Sequence, residues 1–155
     1  MEKDTHWVGD SPQARFGHTI TPIGKERAVL FGGAVGDTGS INLHYSAKYT
    51  ITADTYLCDY LHKRFKKLEC RGMPPSNRAA HATICIEHFL FVYGGALGGG
   101  ELADDVLYQL DVLTLAEKAY WSIKTCVGQS PGSRYGHVMG YLKPYLIIHG
   151  GNTGN

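Results

Sequence analysis

Short apolar runs closed by paired glycines recur along this chain. They are Ala28-Val29-Leu30-Phe31 before Gly32-Gly33, Phe89-Leu90-Phe91-Val92-Tyr93 before Gly94-Gly95, and Tyr145-Leu146-Ile147-Ile148 just ahead of Gly150-Gly151. Runs of this length are too short for helices, and their continuous apolar character predicts strands covered on both faces. The glycine pair lets the backbone leave each strand at φ values that other residues avoid. Upstream of each run lies one polar frame, Gly-x-x-Pro-x-x-Arg-x-x-His, at Gly9/Pro12/Arg15/His18, Gly72/Pro75/Arg78/His81 and Gly128/Pro131/Arg134/His137. Each frame opens a first strand, over residues 18–22, 81–86 and 137–141, and the apolar run is the second. Two shared Tyr-x-x-Asp segments, at Tyr56/Asp59 and Tyr108/Asp111, predict a third strand, and a fourth begins near Phe65 and Trp121.

Self-similarity at this period, built of short strands and turn glycines, excludes a helical solenoid and predicts one blade of a β-propeller per repeat. The expected fold is all-β: a propeller of four-stranded antiparallel blades, present here as a partial array of about two and a half to three. Repeat 1 covers about residues 9–71, repeat 2 about 72–127 and repeat 3 about 128–155. Closed propellers use roughly 4–8 blades, so the sequence reads as part of a larger protein.

The Arg-x-x-His opening, the apolar strand ending in Gly-Gly, the Tyr-x-x-Asp strand and the aromatic before the next unit resemble kelch repeats over nearly the whole chain. More narrowly, Pro74-Pro75-Ser76-Asn77-Arg78-Ala79-Ala80-His81, Ala103-Asp104-Asp105-Val106-Leu107-Tyr108 and Pro131-Gly132-Ser133-Arg134-Tyr135-Gly136-His137 are similar to the N-terminal kelch domain of Ser/Thr protein phosphatases with kelch-like domains. Two positions depart from the pattern, Ala80 in place of Gly17 and Gly136, and Phe65 in place of Trp. The resemblance implies a non-catalytic propeller that mediates protein–protein interaction, as the regulatory or substrate-targeting part of a phosphatase whose catalytic domain lies outside this chain. It implies two divalent metals in that absent domain and no cofactor here, and a cytoplasmic location with the nucleus as a second. The alternatives are a propeller enzyme, oxidase or sugar-converting, whose axial site other blades complete, and a cytoskeletal or ubiquitin-ligase adaptor.

Composition adds little pull toward other classes. A formal net charge of +1 draws the chain neither to nucleic acid nor to an anionic surface. No run approaches the roughly 18–20 apolar residues of a membrane-spanning helix. The four cysteines, Cys58, Cys70, Cys85 and Cys126, form no Cys-x-x-Cys pair, which suits free thiols. A metallophosphatase would need Gly-Asp-x-His-Gly and Gly-Asn-His-Glu clusters to hold its metals, and the sequence contains neither.

Repetition in one register assigns Arg15, Arg78 and Arg134, with His18, His81 and His137, a structural role: each bonds carbonyls or carboxylates within its blade, since buried charge must be paired. Gly32, Gly33, Gly94, Gly95, Gly150, Gly151 and Trp121 complete that framework, and no metal site is expected. Gly98-x-Gly100-x-x-Ala103 superficially matches a dinucleotide fingerprint, but it follows a strand that has already ended and reads as an inter-strand loop. His62-Lys63-Arg64-Phe65-Lys66-Lys67 reads as a solvated hairpin tip.

The segment from Gly33 to Tyr56 is longer than its counterpart from Gly95 to Tyr108, and the excess is rich in hydroxyls, Asn and Tyr. Long loops on rigid scaffolds concentrate binding function. Asp37, Asn42, His44, Tyr45 and Tyr49, with Glu101 on the equivalent loop of the next repeat, are therefore the candidate binding residues, for a protein partner. An apolar strand at Tyr145-Leu146-Ile147-Ile148 with an unpaired edge is also a template for another chain, so the fragment is expected to self-associate.

Overall fold

The computed structural model describes residues 6–36 and 48–154. The first unit holds β1 (Val8–Gly9), β2 (Arg15–Phe16), β3 (Thr19–Pro22), β4 (Arg27–Phe31), β5 (Ala34–Gly36), β6 (Tyr49–Ile51), β7 (Thr55–Asp59) and β8 (Arg64–Lys67). The second holds β9 (Glu69–Gly72), β10 (Ala82–Ile86), β11 (Phe89–Tyr93), β12 (Ala96–Gly98), β13 (Glu101–Leu102), β14 (Tyr108–Asp111) and β15 (Lys118–Ile123). The third contributes the hairpin β16 (Val138–Leu142) and β17 (Tyr145–His149), and no helix occurs among the described residues. Each strand predicted from an apolar run or from Tyr-x-x-Asp is present within a residue of its expected bounds.

Sheet one has the order β1-β8-β7-β4-β3 and sheet two the order β10-β11-β14-β15-β9. In both, four strands, β3-β4-β7-β8 and β10-β11-β14-β15, form an antiparallel array from the inner strand outward. A fifth strand is then added in parallel: β1 beside β8, and β9 beside β15. This outer strand ends on the glycine that opens the first and the second Gly-x-x-Pro frame. Its pairing, by main chain alone, leaves no apolar pattern to read.

The inner strands stand side by side, β10 lying against both β3 and β16. Side chains alternate across β4, so Val29 and Phe31 point toward sheet two while Ala28 and Leu30 join Tyr56 and Cys58 on the other face. The main core fills the seam between sheets one and two. Val29, Phe31, Leu57 and Leu68 meet Leu90, Val92, Leu110 and Trp121 there, with the Phe31 and Trp121 ring centroids 5.1 Å apart. Burial of each such side chain contributes about 1.5–3 kcal/mol, which makes this seam the main source of cohesion. Strand β17 departs from the expectation of two covered faces: it alternates, with Leu146 and Ile148 turned toward sheet two and Tyr145 and Ile147 exposed.

The Gly-to-Ala exchange in the second repeat has a measurable geometry. Ala80 stands at φ 56°, beside 69° at Gly17 and Gly136, because its amide bonds the Gly17 carbonyl (2.8 Å) and its carbonyl takes the Gly136 amide (2.8 Å). Holding an alanine in this left-handed conformation costs about 1 kcal/mol, offset by two hydrogen bonds that link three successive units.

Candidate recognition surface

Each frame arginine folds back over the end of its own second strand. Arg78 donates from Nη1 to the Gly94 carbonyl (3.0 Å), from Nε to the Ser76 carbonyl (3.1 Å) and from Nη2 to Asp104 (3.3 Å) and the Ser76 hydroxyl (3.2 Å). Arg15 repeats the pattern on Gly32 (3.0 Å), Gln13 (3.2 Å) and Asp54 (3.2 Å). Arg134 reaches Gly150 (2.9 Å) and Gly132 (3.4 Å), and its Nη2 turns to the Pro131 carbonyl. The fork geometry of guanidinium is what lets one side chain tie a strand exit to a strand entrance.

The histidines act differently from the expectation of a role within one blade. His137 bonds through Nε2 to the Tyr93 carbonyl of sheet two (2.9 Å), and His81 Nε2 bonds the Thr19 hydroxyl of sheet one (2.9 Å) while its ring stands edge-on to Phe31, centroids 5.1 Å apart. They clip each sheet to its neighbour. The first glycine of the first two exits makes room for this clip: a Cβ on Gly94 would lie 2.5 Å from both the Arg134 carbonyl oxygen and His137 Cε1, and one on Gly32 would lie 2.7 Å from the Arg78 carbonyl oxygen and His81 Cε1. Burial, reinforced by the Arg78 guanidinium, drives the His81 pKa down to about 3, and burial also lowers that of His18 and His137.

Once past the glycines, the chain builds small ladders on one rim of the array. Sheet β2-β5-β6 and the hairpin β12-β13 form two of them, and isolated bridges join Ala79 to Ala96 and Tyr135 to Asn152. In every unit, then, the residue after the arginine pairs with the residue after the glycines. Phe16 and Tyr49 are 55% and 53% exposed yet locked edge-to-face on this rim, with centroids 4.9 Å apart. Tyr135 and Glu101 are also exposed there, and a cleft of about 460 Å³ runs between them, lined in addition by Ala96, Leu102 and Asn152.

Of the candidate binding residues, Tyr49 and Glu101 lie on this rim. Asp37, Asn42, His44 and Tyr45 lie outside the described residues. Phe16 and Tyr135 escaped the sequence reading, although an aromatic directly after the frame arginine in two of three copies was the available signal. The Gly98–Gly100 stretch is the turn of the β12–β13 hairpin, not a strand-to-helix phosphate loop. The basic cluster sits on the β7–β8 hairpin at the periphery. There Asp59 takes His62 (2.8 Å), Asp54 takes Lys67 (3.3 Å), and Lys66 pairs with Glu117 of sheet two.

The repeat pattern now has a three-dimensional counterpart, and comparison with known proteins agrees with it. The family described as KLHDC2/KLHL20/DRC7 Kelch-repeats domain matches residues 3–155. The chain belongs to the kelch-repeat family. It is 36% identical over 83% of its length to serine/threonine-protein phosphatase BSL2 of Arabidopsis thaliana, covering 13% of that protein. It is 29% identical over 97% of its length to the Rab9 effector protein with kelch motifs of Danio rerio, and 29% over 99% to Adagio-like protein 3 of Oryza sativa subsp. japonica, covering 42% and 23% of them. The kelch chain thus spans less than half the length of these relatives. The phosphatase likeness expected from its sequence is present, and the fold is the partial kelch propeller that the repeats predicted.

Chemically, the kelch rim offers surfaces for contact. Its anchors are aromatic faces and main-chain ladders. The buried Cys58 thiol, by contrast, has its pKa pushed up to about 11 by burial, which disfavours the thiolate a nucleophile requires.

Proposed function

We propose that this kelch chain is a non-catalytic protein-binding module whose partner sits on the rim formed by the Gly-Gly exits. The observation that carries this reading is the Phe16–Tyr49 pair: two large aromatics, half exposed, held rigid by the β2-β5-β6 ladder at the end of a packed sheet. Rigid aromatics give contact area at low entropic cost, the property of binding hot spots. A photo-crosslinking amino acid placed at Tyr49 is expected to capture a defined partner that the same group at Leu61, on the opposite hairpin tip, does not capture. The Phe16→Ser/Glu101→Lys double variant is expected to lose that adduct with its circular dichroism unchanged. Equal labelling from both positions would rule the rim out.

The likeness to BSL2 supports a narrower reading, in which the chain is the regulatory or substrate-targeting part of a Ser/Thr protein phosphatase acting in the cytoplasm and nucleus. This chain then needs no cofactor, and two divalent metals belong to the catalytic domain. Native full-length protein, isolated with an antibody against this chain, is expected to hydrolyse a phosphoserine peptide only with a divalent metal present; no activity with Mn²⁺ or Mg²⁺ would sink the phosphatase assignment.

The hairpin β16–β17 presents Val138, Leu142, Tyr145 and Ile147 on one uncovered face, with Leu142 and Tyr145 each 68% exposed. Apolar area of this kind drives association, and the chain on its own is expected to self-associate through that hairpin. Light scattering over a dilution series checks this, and Leu142→Lys/Tyr145→Lys should hold the chain monomeric. A monomer at every concentration would show that this hairpin does not drive assembly.

A further inference from the structure

Three Ser/Thr-Pro dipeptides occur in the sequence, Ser11-Pro12, Thr21-Pro22 and Ser130-Pro131, and the fold treats each differently. Thr21 is buried within β3, with its hydroxyl bonded to that of Thr83 on β10. Ser130 lies at the surface but is tied down. Its Oγ accepts the Gly132 amide (3.0 Å) and bonds the Tyr93 hydroxyl (3.1 Å), which in turn donates to the Gly132 carbonyl (3.0 Å). Ser11 alone of the three is open. It is exposed, it begins the irregular stretch 11–14, and its hydroxyl makes no hydrogen bond among the described residues. Pro12 biases it toward extended backbone, the form in which a peptide lies across a kinase cleft. We propose that Ser11 is a phosphorylation site for a proline-directed Ser/Thr kinase, and that Lys67 is the cation that receives the phosphoryl group.

Lys67 is brought there by the outer border of sheet one. Strand β1 runs parallel to β8 in the register Gly9↔Phe65, the Asp10 amide takes the Phe65 carbonyl (2.8 Å), and the Asp10 carboxylate accepts the Lys67 amide (2.9 Å). Ser11 therefore follows directly on the residue that holds Lys67. The Lys67 side chain is 54% exposed and rests on one oxygen of Asp54 (3.3 Å), whose other oxygen already holds Arg15 (3.2 Å). Arg64 adds a third cation, its stem lying along Gly9, and it has no ion pair among the described residues. Three cations thus face the two carboxylates of Asp10 and Asp54 at this corner, an excess of positive charge.

The second unit provides an internal comparison. Its counterpart of Ser11 is Pro74, by the frame, and its counterpart of Lys67 is Ile123, since Tyr56 pairs with Lys67 as Tyr108 pairs with Ile123. The hydroxyl and the extra cation are therefore present together in the first unit and replaced together in the second. Packing of the sheet requires neither.

In the transfer, Ser11 Oγ attacks the γ-phosphorus of ATP. The new O–P bond forms as the bond to the bridging oxygen breaks, ADP leaves with that electron pair, and the hydroxyl proton passes to the kinase's own base. The product carries about −1.5 to −2 charges near neutral pH and three strong acceptor oxygens. Lys67 can turn to it and leave Asp54 to Arg15, so the frame keeps its own ion pair while the phosphate ties the chain at β1 to β8.

The test treats the folded chain with a cyclin-dependent kinase and ATP, and follows each site by mass spectrometry against synthetic peptides of residues 6–16, 16–26 and 125–135. Ser11 is expected to be phosphorylated within about threefold of its peptide's rate, and Thr21 and Ser130 at least about tenfold more slowly than theirs, as groups reached only by local opening. The chain phosphorylated on Ser11 is expected to unfold at higher urea than the unmodified chain, and Lys67→Gln should abolish that gain. Protection of Ser11 as strong as that of Thr21, or labelling of Ser130 as ready as that of Ser11, would overturn the assignment of the site. A phosphate that brings no gain, or a gain that survives Lys67→Gln, would overturn the role of Lys67.

Discussion

Replacing Arg78 with alanine is expected to destabilise the fold by about 3–5 kcal/mol, more than any other single frame substitution. Arg78 is 0% exposed and is the largest fully buried side chain described. Its guanidinium satisfies the Gly94 carbonyl, the Ser76 carbonyl and Asp104 together, and it stacks 5.1 Å from the Tyr108 ring. Removing it strands a buried carbonyl at the strand exit and leaves a cavity beneath the seam, two penalties that add. The three arginines form an internal series. Arg15 makes the same bonds one unit earlier, at a sheet that packs on a neighbouring sheet on one side only among the described residues, and Arg134 bonds only main-chain carbonyls in exposed surroundings. Urea unfolding should therefore rank Arg78→Ala above Arg15→Ala, with Arg134→Ala costing about 1 kcal/mol or less. Arg78→Lys should recover only part of the loss, since an ammonium cannot reproduce the fork. Equal, small losses for all three would mean that the arginines serve an external ligand instead of the sheets.

The sequence exposed this series because arginine, histidine and paired glycines recur at fixed spacing, and the strands because four or five apolar residues between glycines have few other uses. The blade order followed from those signals. What stayed hidden has one physical origin, pairing by main chain. Strands β1 and β9 consist of Val8, Gly9 and of Glu69, Cys70, Arg71, Gly72, with no alternation to announce a strand. The reach of His137 across to sheet two was hidden likewise, because its partner is the Tyr93 carbonyl and any residue supplies one. The rim was half legible. Tyr49 and Glu101 stood out on long polar loops, while Phe16 looked like part of the framework. Only the antiparallel register of Phe16 with Ala34 brings its ring against Tyr49.

Acid is expected to open the seams before it titrates the carboxylates. His18, His81 and His137 are all held neutral in the fold, His81 most strongly, with its pKa lowered by burial first and by Arg78, His137 and His18 in turn. Their Nδ1 atoms are buried without a hydrogen-bonding partner among the described residues, so a proton added there would gain no acceptor. In the unfolded chain the same side chains titrate near 6.5. Below that pH the unfolded state binds more protons than the folded one, so stability is full above about 6.5 and falls as pH drops toward the folded value. For His81, whose folded pKa is about 3, the slope is about 1.4 kcal/mol per pH unit, or about 2 kcal/mol lost by pH 5. His18 and His137 add loss of the same sign. Asp59, whose carboxyl is held below its usual range by the His62 amide and ring, contributes only at more acidic pH. Denaturant midpoints measured from pH 7.5 to 5 should fall steadily, and His81→Gln, though less stable at pH 7.5, should show a visibly shallower slope. A flat profile over that range, or an unchanged slope in the variant, would mean that His81 takes up its proton without breaking the bond to sheet one, and that these histidines do not clip the blades together.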